Sequence, residues 1–235
     1  MEFSVRDATE ADLEAVAEIK VRSWAETYAS LLPPAVLRPY LDRANQLAAL
    51  RQAVAQPDIV LLVAQDRSAK VVGFSLLFLA HRPEPLLESL HVVGEVQGQG
   101  VGTLLMRATA ARIMASGHSS MRLMVIAGNT GAERFYERLG GSTEGLEPAS
   151  WAQSVWHNVF RWPDVGVLMI AAFLIPTTLL FHPYWTFSDP AERRTHRGSF
   201  YRNVSLLGAT LALFALFTVA GPGQFAITGS FVNLR

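Results

Sequence analysis

The residues with the clearest chemical potential are Gln97, Gly98, Gln99, Gly100, Val101 and Gly102, followed by Thr103. A strand-like run, Leu86 to Val93, precedes them, and an apolar-periodic run, Thr103 to Ser116, follows. In the second run Leu104, Leu105, Ala108, Ala111 and Ile113 mark one face at helical spacing. The glycines are therefore expected on a strand-to-helix turn. The first amides of a helix have no intrahelical acceptor, and the helix dipole adds partial positive charge there. Glycine lets an anion come close to that backbone. The chemistry this implies is the cradling of a pyrophosphate. Spacing excludes two familiar cradles. A dinucleotide fingerprint needs a glycine at 103, where Thr103 stands, and a Walker loop needs a lysine that is not near. What remains is Gln-x-x-Gly-x-Gly. Alone, that hexapeptide also fits a glycine-rich helix start with no ligand.

The elements that must position this turn can be read along the first 164 residues. Phe3 to Arg6 reads as a short strand. Thr9, with Asp12 three residues on, gives an N-cap pattern for a helix carrying Leu13, Val16, Ala17, Lys20 and Val21. Ser23 to Pro34 reads as a second segment, ended by the proline pair, and Ala35 to Ala55 as further helix interrupted at Pro39. Ile59–Gln65 and Val71–Ala80 form a hairpin around the turn Asp66–Lys70. After the central helix come a strand, Met121–Ile126, and a short helix from Asn129 closed by Gly140-Gly141. A last hairpin pairs Gly141–Glu147 with Ser154–Trp162. The order predicts an α/β fold with a mixed, mostly antiparallel sheet.

Composition narrows the function classes. Basic and acidic residues number 20 each, which suggests neither nucleic acid nor a strongly anionic partner. With no cysteine there is no disulfide framework, thiolate metal site or cysteine nucleophile. The opening Met-Glu-Phe-Ser-Val-Arg lacks the features of a signal peptide. From Val165 onward five basic and two acidic residues leave a net +3, while the first 164 residues carry −3. The composition breaks there, so the expected domains are 1–163 and 164–235.

The segment Leu90-His-Val-Val-Gly-Glu-Val-Gln-Gly-Gln-Gly-Val-Gly-Thr-Leu-Leu resembles motif A of the GNAT acetyltransferases. Ser23-Trp-Ala-Glu-Thr-Tyr and Asn129…Phe135-Tyr136…Leu139-Gly140 extend the resemblance over about residues 1–163. It implies the GNAT acyl-CoA N-acyltransferase fold, acetyl-CoA as cosubstrate and an amine as acceptor. Backbone groups of His91, Val92 and Val93 would bond the pantetheine arm, and the turn Gln97 to Thr103 its pyrophosphate. Met121–Ile126 would splay away to admit the arm. Asn129 would contact the arm and also cap the helix that follows. Tyr136 matches the tyrosine that protonates the departing thiolate, and it is also placed to be a core aromatic beside Phe135. Glu88 stands two residues beyond the family's usual glutamate position, which Leu86 occupies. By alternation it shares a face with Leu86, Leu90 and Val92, as a water-relayed base or a plain polar strand residue. His91 would face the other way, as a packed or edge residue. Ordered water alone could also deprotonate the amine. Trp24 and Tyr28, four apart, either line the acceptor pocket or belong to the core.

Two uncharged runs, about 165–181 and 204–220, approach the roughly 17 residues that the shortest membrane-spanning helices need. Trp162 and Tyr184-Trp185 flank the first as an interfacial belt would, and Thr177 and Thr178 could satisfy carbonyls freed by Pro176. Phe173–Trp185, Asp189-Pro190 and Phe200…Asn203…Leu206-Leu-Gly resemble the last two helices of the DoxX membrane family, which usually has four. A transmembrane helical hairpin is therefore expected, with the catalytic domain in the cytoplasm at the cell membrane. The arginines at 193, 194, 197 and 202 fall in the loop of that hairpin, against the positive-inside tendency. Expected partners are an amine acceptor, membrane lipid and a second copy in a homodimer, but no nucleic acid and no metal. The competing reading is a DoxX-like membrane component carrying a non-catalytic acetyl-CoA-binding module.

Overall fold

Alternate residues of a strand point to opposite faces of the sheet. On Ile59–Gln65, Leu61 and Val63 pack with Leu13, Val16, Ala17 and Leu50, whereas Leu62 and Ala64 pack with Val101 and Leu105. A strand buried on both faces reads as a continuous apolar run, as Ile59-Val-Leu-Leu-Val-Ala does. The N-terminal unit is thus a sheet between two helical layers. The structure is a computed structural model that describes residues 2–166, 178–179 and 183–220, without the side chains of 210, 211 and 213–220. The chain divides into two units, Met1–Leu168 and Met169–Arg235.

In chain order the first unit contains β1 (Ser4–Asp7), α1 (Leu13–Tyr28), α2 (Pro34–Leu37), α3 (Arg43–Val54), β2 (Ile59–Gln65), β3 (Val71–Phe78) and β4 (Leu86–Val92). Then follow α4 (Val101–Ala115), β5 (Met121–Ile126), α5 (Thr130–Arg138), β6 (Ser142–Ala149) and β7 (Ala152–Trp162). The strands form one sheet in the order β1-β2-β3-β4-β5-β7-β6. Only β4 and β5 run parallel, so the sheet is mixed and mostly antiparallel, as expected.

Several local expectations change. Ser23–Tyr28 is not a second segment but the end of α1, because no proline or glycine interrupts Leu13–Tyr28. Helix α4 starts at Val101 and buries Val101, Leu105, Met106, Thr109, Ala110 and Ile113. Ala111 is exposed and Leu104 only half-buried, so the buried face is turned from the one the periodicity marked. Ser75 of β3 and Thr109 of α4 share a buried hydrogen bond of 3.0 Å across that interface. The first unit runs past residue 163, since the Val165 amide donates to Ser119 O at 2.7 Å and Val165 is fully buried.

In the second unit a long helix, Pro190–Ala220, begins at an Asp189 cap whose carboxylate accepts from Ala191 and Glu192 amides at 3.3 and 3.2 Å. Aspartate before proline is a helix-start signal. The arginines at 193, 194, 197 and 202 therefore sit on a helix and not in a loop. Tyr184 and Trp185 lie edge-on to Phe200, with ring centres 5.3 and 5.7 Å apart. Most of the run 165–181 lies outside the described residues. The run 204–220 is the C-terminal part of the long helix. Among the described residues no helix is long and apolar enough to cross a membrane, and no transmembrane hairpin is found there.

Gly141 opens the β6 side of the sheet at a tight contact. A Cβ there would lie 2.5 Å from Trp162 Cζ2, and the Trp162 ring is buried and anchored by its Nε1 bond to Leu139 O at 2.9 Å. Gly141→Ala is expected to destabilise the chain by about 1–3 kcal/mol, as overpacking does. Urea unfolding of both chains measures the difference.

Candidate active site

Strands β4 and β5 pair in parallel only at Leu86–Arg122 and Leu87–Leu123. Beyond those pairs the strands part, and a cleft of about 700 Å³ opens between them. Clefts of this size are where small ligands bind. Its lining includes Glu88 to Val92 from β4, Leu123 to Ile126 from β5, Asn129 and Tyr136 at α5, and Gln97, Gly98, Gly100, Gly102 and Thr103 from the glycine turn. Of the residues expected around the cofactor, Val93, Gln99 and Val101 do not line it. Val101 is buried against Leu105 in the α4 core.

The glycines serve distinct purposes. Gly98 and Gly100 have φ of +74° and +88°, in the left-handed region, with open space where a Cβ would stand. They are there for backbone conformation. Gly102 is there for packing, since its Cβ would lie 3.1 Å from Phe135 Cζ on α5. Leu104 donates to Gly100 O at 2.9 Å as the first helical bond of α4, so the amides ahead of it in the helix lack an intrahelical acceptor. The glutamines brace the turn: Gln97 Nε2 donates to Val92 O at 2.9 Å and Gln99 Nε2 to Glu95 O at 3.1 Å. Arg22 of α1 holds the same turn through Glu95 at 2.7 Å. Backbone, not side chains, is what the turn offers an anion.

The face assignment on β4 is corrected by a bulge. Ser89 pairs with Leu76 and Leu87 with Leu77, which leaves Glu88 as an extra residue in the ladder. A bulge of this kind breaks the two-residue alternation. Leu90 and Val92 pack toward α4, while Glu88 meets Lys20 of α1 at 3.6 Å and His91 Nδ1 meets Ser23 Oγ of α1 at 2.7 Å. Glu88 thus does not share a face with Leu90 and Val92, and His91 stands on the same side as Glu88. The Ser89 hydroxyl donates to the Glu88 carboxylate. Lys20 is itself buried and Glu88 about one-third exposed, so the carboxylate is both held and reachable from the cleft. Burial, and then the Lys20 charge, pushes the His91 imidazole down to about 3, so it is neutral near neutral pH.

At the start of α5, Asn129 Oδ1 accepts from the Ala132 amide at 3.2 Å, and its Nδ2 donates to Tyr28 Oη at 3.4 Å. Asn129 is a helix cap that also lines the cleft. Tyr136 belongs to the aromatic core, 5.1 Å from Phe135, 5.8 Å from Phe160 and 5.9 Å from Trp162, and lines the cleft as well. Burial, with Tyr28 adding, pushes its phenol well above the ordinary value and keeps it a proton-bearing donor.

At the α1 end, Trp24 is buried and stacks on Tyr40, with ring centres 3.8 Å apart and planes 7° from parallel. Tyr28 meets Trp24 edge-on at 4.9 Å. Trp151 stands edge-on to Tyr40 at 5.1 Å and 40 % exposed. Trp24 and Tyr28 are both core and cleft lining. Tyr40, Trp151, Ser23, Lys20 and His157 were not among the expected site residues. Alternation along β7 could have flagged His157, which lies between Val155 and Val159 on one strand face. Tyr40 lies on the single 3-10 turn Arg38–Leu41 and Trp151 at a hairpin turn, both too short for a periodic signal. His157 is buried, and its Nδ1 has no hydrogen-bond partner among the described residues. Burial lowers its pKa, opposed by Glu147.

A family model described as the acetyltransferase (GNAT) family matches residues 15–141. The match does not reach the C-terminal segment, whose resemblance to the DoxX family has no such support. No curated protein matches the chain. Among solved structures, PaiA N-acetyltransferase from Thermoplasma acidophilum, in complex with coenzyme A, is 21% identical with a TM-score of 0.55, covering 68% of this chain and 98% of that one. YncA from Salmonella typhimurium, with its cofactor acetyl-CoA, is 19% identical with a TM-score of 0.55, covering 70% of this chain and 95% of that one. At these identities the likeness establishes the fold.

His91 supplies a pH test of the site's packing. The unfolded chain binds this proton near pH 6.5 and the folded chain near 3. Between those values the unfolded state holds more protons, so stability falls as pH drops, by up to ~1.4 kcal/mol per pH unit from this group. His91→Phe is expected to flatten the dependence of unfolding free energy between pH 7 and 4. Equal slopes in the two chains would show that His91 protonates freely within the fold.

Proposed function

The chain belongs to the acetyltransferase (GNAT) family, and on that premise we propose that it moves an acetyl group from acetyl-CoA to a primary amine. The observation that carries this reading is the parting of β4 and β5 above a left-handed glycine turn. It exposes a strand edge beside helix-start amides in one continuous cleft. The PaiA structure with coenzyme A and the YncA structure with acetyl-CoA support the choice of cosubstrate. The amides of α4 at Val101 to Thr103 would receive its pyrophosphate, which is why Val101 counts without a side chain in the cleft, whereas the Gln99 amide donates to Val96 O at 3.3 Å and Gln99 only braces the turn. The backbone of His91 and Val92 would hold the arm, with Asn129 beside it, whereas Val93 spends its amide on Val72 O at 2.9 Å and its carbonyl on the Val96 amide at 3.2 Å. The cosubstrate supplies an activated thioester.

The residues of the chain then divide the proton work. The Glu88 carboxylate, set by Ser89 and Lys20, takes one proton from the acceptor's ammonium and frees the nitrogen to bond the acetyl carbon. The Tyr136 phenol gives its proton to sulfur as the carbon–sulfur bond breaks. The second nitrogen proton returns to Tyr136 through water, and Glu88 releases its own to solvent. Proton transfer by a positioned side chain contributes about 10²–10⁴ in rate. The uncharged runs 165–181 and 204–220 support a further element of the proposal, a tether of this enzyme to the cytoplasmic side of the cell membrane.

Three measurements on the full chain test the reading. Thiol release from acetyl-CoA in the presence of a panel of primary amines is expected, and no acetyl-CoA binding at all would overturn it. Tyr136→Phe is expected to lower kcat by about 10²-fold or more with the acetyl-CoA Kd unchanged. An unaltered kcat would remove Tyr136 as the acid. Cell fractionation is expected to recover the chain with membranes, and recovery in the soluble fraction would overturn the tether.

A further inference from the structure

The acceptor end of the cleft differs from the cofactor end in its chemistry. Tyr40 is clamped flat on buried Trp24, and Trp151 extends the same wall edge-on. Across the gap Met124 of β5 lines the cleft, 38 % exposed, and adds a polarisable apolar surface. Glu88 is the one acidic residue among the described residues that line the cleft, and its charge is shared with Lys20 at 3.6 Å. It lies close enough to Tyr40 to act on the phenol's ionisation. Arg138 is the one lysine or arginine in the described lining, and it sits in the last turn of α5, the end opposite Asn129. His157 beside Trp151 is neutral and adds no charge.

We infer that the acceptor is a primary amine with a single positive charge on a flat apolar body, such as an arylalkylamine. Its ring lies on the Tyr40–Trp151 wall and its ammonium on Glu88. A single, shared carboxylate leaves nothing to balance a polyamine's other charges. An aromatic wall with no cation near Glu88 but the paired Lys20 among the described residues gives no anchor for an acceptor carrying its own carboxylate. Aromatic faces attract both flat rings and a cation above them. The inference rests on the acetyl-transfer reading above and narrows it.

The test is steady-state acetylation by the full chain of 2-phenylethylamine, tryptamine, spermidine and a lysine-containing peptide. The two aryl amines are expected to show kcat/KM at least tenfold above the other acceptors. Trp151→Ala is expected to raise KM for 2-phenylethylamine at least tenfold with the acetyl-CoA Kd unchanged, and Trp151→Phe to restore most of the loss. Trp151 is substantially exposed, and thermal unfolding of each variant establishes that it folds. Preference for spermidine or the peptide, or a KM for 2-phenylethylamine unmoved by Trp151→Ala, overturns this inference and leaves acetyl transfer standing. Acetyl-CoA that does not bind, or binds without thiol release to any amine, overturns both.

Discussion

The parallel pairing of β4 and β5 lasts for two residue pairs, and every other feature of the site follows from its ending. Backbone groups in a sheet normally satisfy one another. Where the two strands part, those of β4 beyond Leu87 lose their β5 partners and become available to a ligand. The antiparallel pairs on either side, β3 with β4 and β5 with β7, keep the two banks of the cleft rigid. The cleft is therefore a break inside a continuous sheet and not a groove on its surface. A long, flexible acyl carrier can enter such a break and meet an acceptor on the far side.

The bulge at Glu88 sets which side that is. Without an extra residue, alternation would put Glu88 with Leu90 and Val92 under α4. With it, Glu88, Ser23 and His91 gather on the α1 side, where Trp24, Tyr40 and Trp151 also stand. One irregular residue thus separates an end made of backbone amides at α4 from an end made of aromatic side chains and one carboxylate. The separation is electrostatically sensible. A helix start stabilises negative charge, and a carboxylate against aromatic faces stabilises a cation.

Tyr136 and Asn129 show how a site can be built from residues that the fold needs anyway. Asn129 caps α5 and Tyr136 locks α5 onto Phe160 and Trp162. Gly102 serves likewise, since the space its missing Cβ leaves is filled by Phe135 of α5. Helix α5 is thereby fixed against both α4 and the β7 bank. Its position over the cleft comes from packing, and the phenol of Tyr136 is carried to the cleft by that packing.

The order of elements, the mixed sheet and the glycine turn were legible because they rest on local rules: apolar period, breakers and the conformational freedom of glycine. Gly98 and Gly100 mark a turn from composition alone, and that the turn is left-handed is seen only in the fold. The candidate site was legible in part, on the residues that carry a family pattern. Its aromatic end was not, because Tyr40, on the single 3-10 turn Arg38–Leu41, lies far along the chain from Trp151 and His157, which come from a hairpin turn and the strand after it. The side of β4 that Glu88 occupies was also hidden, because a bulge is a property of how two strands pair, which neither strand states alone. The arginines at 193–202 misled for a simpler reason: Asp189-Pro190 is a helix start, and charge counting passes over it. What the sequence by itself determined is which elements form and that a glycine-rich strand-to-helix turn precedes α4. The tertiary structure alone decided where β4 and β5 separate, and therefore which distant side chains face one another across the gap.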